Sequence, residues 1–356
     1  MKTFRKILKI VLIVLLVVVV AVGALFGWLT ATEFKPAPVE EAAVQLAGDH
    51  GTVQSGATLS ILGWNVGYAG LGAASDFFMD GGKEARAADR DTVGVYLEGI
   101  ASTIERVDPD LVLLQEVDIN SSRTYGIDER SILSRGMNCG TFALNYSCPF
   151  VPVPVPPIGK VNSGLYTLTD DLTIERAERV SLPCPFSWPL RIANLKRCLL
   201  VSYLPVEGSD KQLVLINLHL EAYDSGEGKI AQTKQLMGLL EEEYNKGNYV
   251  IAGGDFNQIF PGGLEAYPNE HGDLWTPGLL EESSLPKGFS FVYDLGTPSC
   301  RLLNQPYDPA DVQNTQYYVI DGFIVSPNVT VESVETLDLG FANSDHNPVH
   351  IVVTLG

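Results

Sequence analysis

The chain has 356 residues, 46% of them hydrophobic, and its 43 acidic and 24 basic side chains give a net charge of −19. This length supplies a sizeable core and favours one large folded domain. The negative charge repels polyanions at long range, which argues against tight, nonspecific binding of duplex DNA through lysine and arginine. A local phosphate site is still compatible with it, because a bound divalent cation reverses the field nearby.

The N-terminal segment predicts a membrane anchor. Lys2, Arg5, Lys6 and Lys9 precede residues 10–32, which carry no charge and are dominated by Val, Leu and Ile. At about 1.5 Å per residue this stretch is long enough for the roughly 30 Å hydrocarbon core of a bilayer. The cations favour a cytoplasmic N-terminus and an extracytoplasmic domain. A cleaved signal peptide is the alternative, but its apolar region usually has only about 7 to 15 residues.

The sequence therefore divides into three parts. Residues 1–32 are expected to form an uncleaved, single-pass anchor in the cell membrane, and residues 58–356 the folded domain. Between them, residues 33–57 predict a flexible linker, because their prolines, glycines, alanines and acids follow no hydrophobic periodicity. Without the four N-terminal cations the remainder has 20 basic and 43 acidic residues, a net charge of −23.

Strands and helices alternate through the predicted domain. Apolar residues at helical spacing predict helices over 84–106 and 229–246, the second ending at Gly247. Several consecutive strands have no helix between them, which favours mixed sheets with hairpins over a purely parallel sheet. The proline-rich residues 149–157 predict an extended surface loop that cannot join a central strand. Strands are expected over residues 58–65, 111–116, 163–168, 199–203, 213–219, 249–252, 319–325 and 349–354.

Cysteine usage leaves two interpretations open. The five cysteines lack the C-x-x-C spacing of a zinc site. An exported location permits disulfides, for which Cys139 with Cys148 and Cys184 with Cys198 are the nearest pairs in sequence. Five small, buried thiols fit the sequence equally well.

One polar motif directly follows a predicted strand. Gly253 and Gly254 precede Asp255, Phe256 and Asn257. Alternate residues of an extended chain point the same way, so the Asp255 carboxylate and the Asn257 amide can address one water and one phosphate oxygen. A plain turn stabilised by local hydrogen bonds is the alternative.

Other polar residues also lie where hydrophobic runs break. Asp345 and His346, before the final strand, suit a metal or orienting role and a proton-transfer or phosphate contact, respectively. His219 ends another strand. Glu116 closes a buried strand, where an unpaired carboxylate is costly unless a metal binds it. Asn65 ends the first strand in the same manner.

Together these motifs resemble those of the endonuclease/exonuclease/phosphatase superfamily, which includes pancreatic-type DNases, apurinic endonucleases, neutral sphingomyelinases and inositol polyphosphate 5-phosphatases. The resemblance covers Leu59 to the C-terminus. It implies an α/β fold: a four-layer sandwich of two mixed β-sheets flanked by helices, here with an added N-terminal transmembrane helix. The motifs are W-N at 64–65, Q-E at 115–116, N-x-H-L at 217–220, G-G-D-F-N at 253–257, I-D-G-F at 320–323 and S-D-H-N-P-V at 344–349.

The resemblance also implies a metal and a water-activating group. Glu116 would be the main ligand of Mg²⁺ or Mn²⁺, with Asn65 and Asp345 beside it. Asp255 would orient or deprotonate the attacking water, and Asn257 would contact the phosphate.

The remaining implied roles concern the substrate. His219 would contact a phosphate oxygen or assist the leaving group, and His346 would contact the phosphate as acid or base, oriented by Asp321. Arg123 is a weaker candidate for binding the substrate phosphate, because it could equally pair with a surface acid. Asn162 is another, at a position where relatives often carry a small polar strand.

The expected function is hydrolysis of a phosphoester, with phosphodiesters favoured, by a metal-dependent enzyme facing outside the cell. A lipid headgroup, a nucleic acid or a small phosphoester could be the substrate, and no protein partner is predicted. The sequence contains no basic, aromatic-rich insert for gripping DNA and no lysine and arginine cluster for a polyphosphorylated inositol. An exported nuclease and a noncatalytic surface binding module on the same scaffold are the alternatives.

Overall fold

A computed structural model of the chain describes residues 2–46, 50–269 and 274–356. Within these ranges two mixed seven-stranded sheets stack face to face and helices cover their outer surfaces, which confirms the predicted architecture. One sheet has the strand order β1-β7-β8-β9-β10-β16-β13 and the other β17-β18-β3-β4-β6-β5-β2. The helices are α1 (Lys2–Ala31), α2 (Arg90–Val107), α3 (Arg130–Leu133), α4 (Glu227–Asn245) and α5 (Gly263–Ala266). The strands are β1 (Val39–Glu41), β2 (Val44–Leu46), β3 (Thr58–Asn65), β4 (Leu111–Asp118), β5 (Cys139–Val151), β6 (Gly159–Thr169), β7 (Arg176–Ser181), β8 (Cys198–Pro205), β9 (Gln212–His219), β10 (Tyr249–Asp255), β11 (Gln258–Ile259), β12 (Gly278–Leu279), β13 (Ser290–Val292), β14 (Cys300–Arg301), β15 (Tyr317–Tyr318), β16 (Asp321–Val325), β17 (Val329–Thr336) and β18 (Val349–Leu355).

The main core lies between the two sheets. Ile61 and Leu113 of one sheet pack with Leu215, Ile251 and Phe323 of the other, all fully buried. Alternate residues of the same strands face outward and pack against helices, α2 on one sheet and α4 on the other. Burial on both faces explains why these strands are hydrophobic almost throughout.

A polar link joins the two sheets just below their polar edge. Gln115 of β4 donates from Nε2 to Asn217 Oδ1 of β9 at 2.8 Å, and Asn217 Nδ2 donates to Leu114 O at 3.0 Å. Both side chains are fully buried, so each hydrogen bond offsets a large desolvation cost. The link fixes the position of one sheet edge relative to the other.

Most predicted elements are present, with shifted ends. The predicted first strand coincides with β3. The helix expected from residue 84 begins only at Arg90, because the Asp89 side chain caps it by accepting from Thr92 N at 2.7 Å. The sequence did not predict β5, β7 or β17. Strand β7 carries Arg176, Glu178 and Arg179 among its six residues, so it lacks a hydrophobic run.

The predicted linker contains strands. Residues 39–41 form β1, which pairs with β7, and residues 44–46 form β2, which pairs with β5. Each strand has three residues, too few to show a periodicity in the sequence. Residues 47–49 of the predicted linker and Met1 of the predicted anchor lie outside the described residues.

The cysteines are thiols. Cys139 and Cys148 lie on one strand, β5, and nine residues of extended chain span roughly 30 Å, whereas a disulfide needs Cα atoms within about 7 Å. Cys184 Sγ lies 3.9 Å from Leu195 O, and Cys198 Sγ lies 3.8 Å from Leu144 O. The disulfide interpretation is therefore wrong for both pairs, and burial as small apolar side chains accounts for most of the cysteines.

The most apolar 18-residue window of helix α1 has a mean hydropathy of 3.3. The helix is long and apolar enough to cross a membrane, and its most apolar stretch is not covered by the rest of the protein.

Candidate active site

The predicted residues meet because of the directions of their strands. Parallel strands β9 and β10 end together, with His219 opposite Asp255. Strand β16 runs antiparallel to β10, so its first residue, Asp321, lies opposite Asp255 on the other side. In the second sheet, β3 ends at Asn65, and the loop before β18 carries Asp345 to the same edge. The two sheet edges therefore form one polar site.

Asp255 is the centre of the hydrogen-bond network. Its Oδ2 accepts from Asn65 Nδ2 at 3.0 Å and from Asn257 Nδ2 at 3.2 Å, and lies 3.4 Å from His219 Nε2. Its Oδ1 accepts from the backbone N–H of Asn257 at 2.8 Å. The carboxylate is buried and is held from both sheets.

Close packing of the backbone brings Asp255 to this position. Gly254 has a φ of +138°, and a Cβ atom there would lie 2.1 Å from Leu218 O. A side chain would therefore separate β10 from β9, and only glycine fits. Asn257 also has a positive φ of 50°, which turns its amide back towards Asp255.

His346 forms a second pair with Asp321. The distance between His346 Nδ1 and Asp321 Oδ2 is 2.8 Å, and the Ser299 hydroxyl donates to the same oxygen at 2.8 Å. The other ring nitrogen, Nε2, lies 3.7 Å from Asp345 Oδ2 and 4.0 Å from Asp255 Oδ2. The carboxylate of Asp321 thus fixes the ring so that Nε2 faces the site.

Burial and mutual repulsion perturb the carboxylates. Burial raises the pKa of Asp255 to about 7, and the charge of Asp321 acts in the same direction. Burial likewise raises the pKa of Asp345 to about 6, assisted by the charge of Glu116. Asp255 is therefore suited to accept a proton near neutral pH.

The two histidines differ in charge. Burial opposes protonation of His346, but the charges of Asp321 and Asp345 hold its pKa well above the usual range. Burial and the Arg197 charge hold the pKa of His219 well below it. One imidazolium and one neutral imidazole thus flank Asp255, and the former suits a contact with an anionic oxygen.

A β-bulge presents Glu116 to the site. The register between β4 and β6 shifts between Leu114 and Val117, and Glu116 has a φ of +57°. This left-handed conformation costs about 1–2 kcal/mol in a residue with a Cβ atom. The Glu116 side chain remains 23% exposed, and its Oε1 lies 3.3 Å from Asn65 Nδ2 and 4.0 Å from His219 Nε2.

Asn65 occupies a supporting position. Its Nδ2 donates to Glu116 and Asp255, while its Oδ1 accepts from the backbone N–H of Gly67 at 3.0 Å. The oxygen is the amide atom that binds cations, and here it is engaged by the backbone. Asn65 is therefore placed to hold two carboxylates together, and because its oxygen has a second lone pair, its role as a metal ligand stays a prediction.

The donor set fits a hard divalent cation. Glu116 and Asp345 supply carboxylate oxygens, and a buried oxygen of Asp321, Oδ1, has no hydrogen-bond partner among the described residues. A cation bound nearby would lower the raised pKa values of these buried acids, because it stabilises their ionised forms. In the described ranges two groups have their ligand atoms within 4.8 Å of one another: Asp255, Asp321 and His346, and Cys300, Asp345 and His346. Glu116 is in neither group, and within them Cys300 is a residue that the sequence did not indicate.

The two weaker substrate-binding candidates have structural partners. Arg123 donates from Nε and Nη2 to the Asp118 carboxylate at 2.9 and 2.8 Å, and lies 3.6 Å from the centre of the Tyr68 ring. The pair is buried, so Arg123 pairs with an acid, though not a surface one. Asn162 Oδ1 accepts from Ser147 Oγ at 2.9 Å. Neither arrangement supports a role in holding the substrate.

Sequence reasoning missed a further acid, Asp80, beside the site. Asp80 Oδ1 accepts from the Tyr223 hydroxyl at 2.9 Å, and burial raises the pKa of Asp80 to about 6, with a smaller contribution from the charge of Glu116. Asp80 ends a short 3₁₀ helix, Phe78–Asp80, without an adjoining strand pattern. The sequence signal available for this pair was Tyr223, an aromatic residue four positions after His219, where a strand ends.

The sequence profile of the Endonuclease/Exonuclease/phosphatase family matches residues 62–346, most of the chain. The chain belongs to this family. Members of the endonuclease/exonuclease/phosphatase family are generally hydrolases of phosphoester bonds and typically use divalent metals. The matched range includes the predicted metal-binding and catalytic residues Asn65, Glu116, His219, Asp255, Asn257, Asp321, Asp345 and His346.

Solved structures agree on the fold. An endonuclease/exonuclease/phosphatase from Beutenbergia cavernae DSM 12333 is 18% identical, with a TM-score of 0.55 over 84% of this chain and 72% of that one. A family protein from Bacteroides thetaiotaomicron is 15% identical, with a TM-score of 0.52 over 85% and 99% of the two chains. The human Nocturnin catalytic domain with bound sulfate is 18% identical, with a TM-score of 0.51 over 88% and 98%. No curated protein matches the sequence.

Proposed function

We propose that this protein is a divalent-metal-dependent phosphoester hydrolase, with phosphodiesters as the favoured substrates. One observation carries the proposal: residues from both sheets converge on Asp255, with a paired His346–Asp321 on one side and Glu116 on the other. Buried acids with raised pKa values destabilise the folded state. A cluster that served only to support the fold would not need several of them at one solvent-accessible edge.

Each residue acts from its observed position. Asp255, held by Asn65 and Asn257, orients the attacking water and takes its proton. His346 presents Nε2–H to a phosphate oxygen, because Asp321 holds Nδ1 and keeps the ring charged.

His219, neutral and beside Asp255, contacts a second phosphate oxygen or the leaving group. Mg²⁺ or Mn²⁺ held by Glu116 and Asp345 would supply positive charge against the phosphoryl oxygens. Because the two histidines differ in charge, His346 binds an anionic phosphate oxygen as an imidazolium, while His219 makes its contact as a neutral imidazole.

We also propose that α1 anchors the enzyme in the cell membrane with the catalytic domain outside. The length and hydropathy of α1 support the anchor, and the cations that precede its apolar stretch support this orientation. In a bacterial host, protease added outside spheroplasts should remove the domain, whereas survival of the intact chain until lysis would place the domain inside.

Turnover of bis-p-nitrophenyl phosphate by the full-length protein in detergent, with Mg²⁺ and with EDTA, tests the activity. Hydrolysis should require the metal and fall at least 100-fold in Asp255→Asn and His346→Ala. Asp210→Asn is the matched control, because the Asp210 side chain is 86% exposed and pairs with its neighbour Lys211. Single-stranded DNA is a parallel substrate, since faster hydrolysis of DNA would favour the nuclease alternative. Lack of metal-dependent turnover on both would contradict the proposal and favour a binding module.

A further inference from the structure

The end of α1 packs into the catalytic domain. Leu29 is 2% exposed and lies in a small core with Tyr146 and Cys148 of β5 and with Ile192. Thr30 Oγ1 accepts from the Trp188 ring N–H at 3.1 Å. The helix therefore does not hang from a free tether but is a docked part of the fold.

The residues after α1 are fixed as well. The Glu33 side chain is 1% exposed and lies 2.8 Å from Arg191 Nε and 3.5 Å from Lys196 Nζ. Strand β1 begins only six residues later. Because the residues that join α1 to the sheets have fixed contacts, the direction of the helix sets the orientation of the domain.

Exposed apolar side chains surround this junction. Val153 and Val155 in the proline-rich loop are 57% and 93% exposed, and Trp188 and Leu190 are 56% and 65% exposed. We call these four residues the apolar rim. The loop adjoins the core that holds Leu29, since Val151 and Ile158 at its two ends belong to that core. Apolar side chains clustered around a docked apolar helix mark an interaction surface rather than scattered exposure.

The depth that α1 would have in a bilayer indicates what the apolar rim contacts. The ring of Trp188 lies 6.3 Å from that of Phe26. Phe26 follows Lys9, the last cation, by about 26 Å of helix, against a hydrocarbon core of roughly 30 Å. Trp188 is therefore level with the outer boundary of the hydrocarbon, where tryptophan is enriched in membrane proteins.

The active site opens at the same end of the domain. The loop that carries Asp80 to the site also carries Phe78 and Ala85 to the core around Leu29. On the other side, Ser163 of β6 pairs with Asp118, two residues after Glu116. Strand β6 begins about 13 Å away, at Gly159, where the proline-rich loop ends.

We propose that the apolar rim rests in the outer interface of the bilayer crossed by α1, and that the substrate is the phosphoester headgroup of a lipid in that leaflet. This rests on the proposed function and names its substrate class. The arrangement explains how a body of net charge −23 meets an anionic group without a basic surface. Lateral diffusion brings the headgroup to a site held within a few tens of ångströms of the membrane.

The first experiment measures position. Full-length protein is reconstituted in phosphatidylcholine vesicles with and without brominated acyl chains, in a Trp28→Phe background that removes the tryptophan of α1. Bromine should quench part of the tryptophan fluorescence, and adding Trp188→Phe should abolish that part. Equal fluorescence in both kinds of vesicle would overturn the location of the rim.

The second experiment measures substrate class. Vesicles of phosphatidylcholine, phosphatidylglycerol and sphingomyelin present lipid headgroups, and bis-p-nitrophenyl phosphate reports the chemistry. Val153→Asp with Val155→Asp should lower lipid hydrolysis at least tenfold while leaving bis-p-nitrophenyl phosphate turnover unchanged. Leu279→Asp is the matched control, because Leu279 is 58% exposed and lies in β12, in a two-stranded sheet with β11 that contains no residue of the apolar rim.

The results separate the two proposals. Turnover of bis-p-nitrophenyl phosphate without hydrolysis of any vesicle lipid would overturn the lipid substrate and leave the proposed function intact. Loss of lipid hydrolysis in Leu279→Asp as large as in the rim variant would also overturn it. No metal-dependent turnover of either substrate would instead remove the proposed function.

Discussion

Replacing Asp345 by Asn should stabilise the metal-free protein and abolish its response to Mg²⁺. Asp345 is buried beside Glu116, and its strongest contacts are a 3.4 Å approach to Ser344 Oγ and a 3.7 Å approach to His346 Nε2. Neither is a strong hydrogen bond. An amide of the same shape therefore removes a buried charge while sacrificing little.

The magnitude follows from the pKa of this group. Burial raises the pKa of Asp345 from 3.8 to about 6, and each pH unit corresponds to 1.36 kcal/mol, so ionisation in the folded state costs about 3 kcal/mol. For a domain of about 300 residues, the unfolding entropy of roughly 2.1 cal/mol/K per residue converts this into about 5 °C in Tm.

The pH dependence has a definite sign. The folded pKa lies above the unfolded one, so the contribution of Asp345 to the stability of the parent protein is greatest below about pH 4 and is lost as the pH rises from about 4 to about 6. The amide of the Asp345→Asn variant cannot titrate, so the variant does not lose this stability. The difference between variant and parent should be near zero at pH 4 and reach about 3 kcal/mol at pH 8.

Thermal unfolding of both proteins at pH 4 and pH 8, in EDTA and in Mg²⁺, measures both effects. Mg²⁺ should raise the Tm of the parent, because a ligand that binds the folded state stabilises it, and should leave the variant unchanged. Equal Tm values in EDTA at pH 8 would refute the argument from burial. A full Mg²⁺ response in the variant would refute the assignment of Asp345 as a ligand.

Three other predictions address positioning, backbone and packing. Asp321→Asn removes the charge that holds the pKa of His346 high, so kcat/KM for bis-p-nitrophenyl phosphate should fall at least tenfold and its alkaline limit should move to lower pH; an unchanged pH profile would contradict the pairing. Gly254→Ala should destabilise the fold by about 3 kcal/mol or more in urea unfolding, because the added Cβ would lie 2.1 Å from Leu218 O. The control Gly94→Ala in α2, where an added Cβ would meet nothing within 4 Å, should stabilise the fold by up to about 1 kcal/mol. Similar effects at both sites would show that β9 and β10 are not this close. Arg123→Met leaves the buried Asp118 charge unpaired and should cost about 3–5 kcal/mol in urea unfolding with KM unchanged, and the opposite pattern would restore Arg123 as a substrate-binding residue.

The sequence predicted the elements that have a clear hydrophobic signal. Strand β3 and the strands that carry Glu116, His219 and Asp255 are long, apolar and end in polar residues, so both their existence and their edge could be predicted. Strands β1, β2 and β7 are short or charged, and they form because neighbouring strands offer unpaired backbone groups. Such pairing depends on tertiary context, which a pattern in the sequence does not contain.

The roles within the site divide in the same way. That Asp255, His346 and Asp321 belong to one site could be predicted from motif order, and the structure places them in contact. The orientation of the Asn65 amide and the pairing of Arg123 with Asp118 could not, because each depends on which donor or acceptor lies nearest in space. Asp80 reaches the site from a 3₁₀ helix of three residues, which is too short to show a periodicity in the sequence.

The sequence by itself determined the apolar helix, the alternation of strands and helices, and the polar groups at strand ends, because these follow from hydrophobicity and residue chemistry at short range. The tertiary structure decided that a bulge turns Glu116 inward, that buried acids crowd until their pKa values rise, and that α1 docks against β5 instead of ending in a tether. These features depend on distances between segments far apart in the chain, which only the packing of the two sheets fixes.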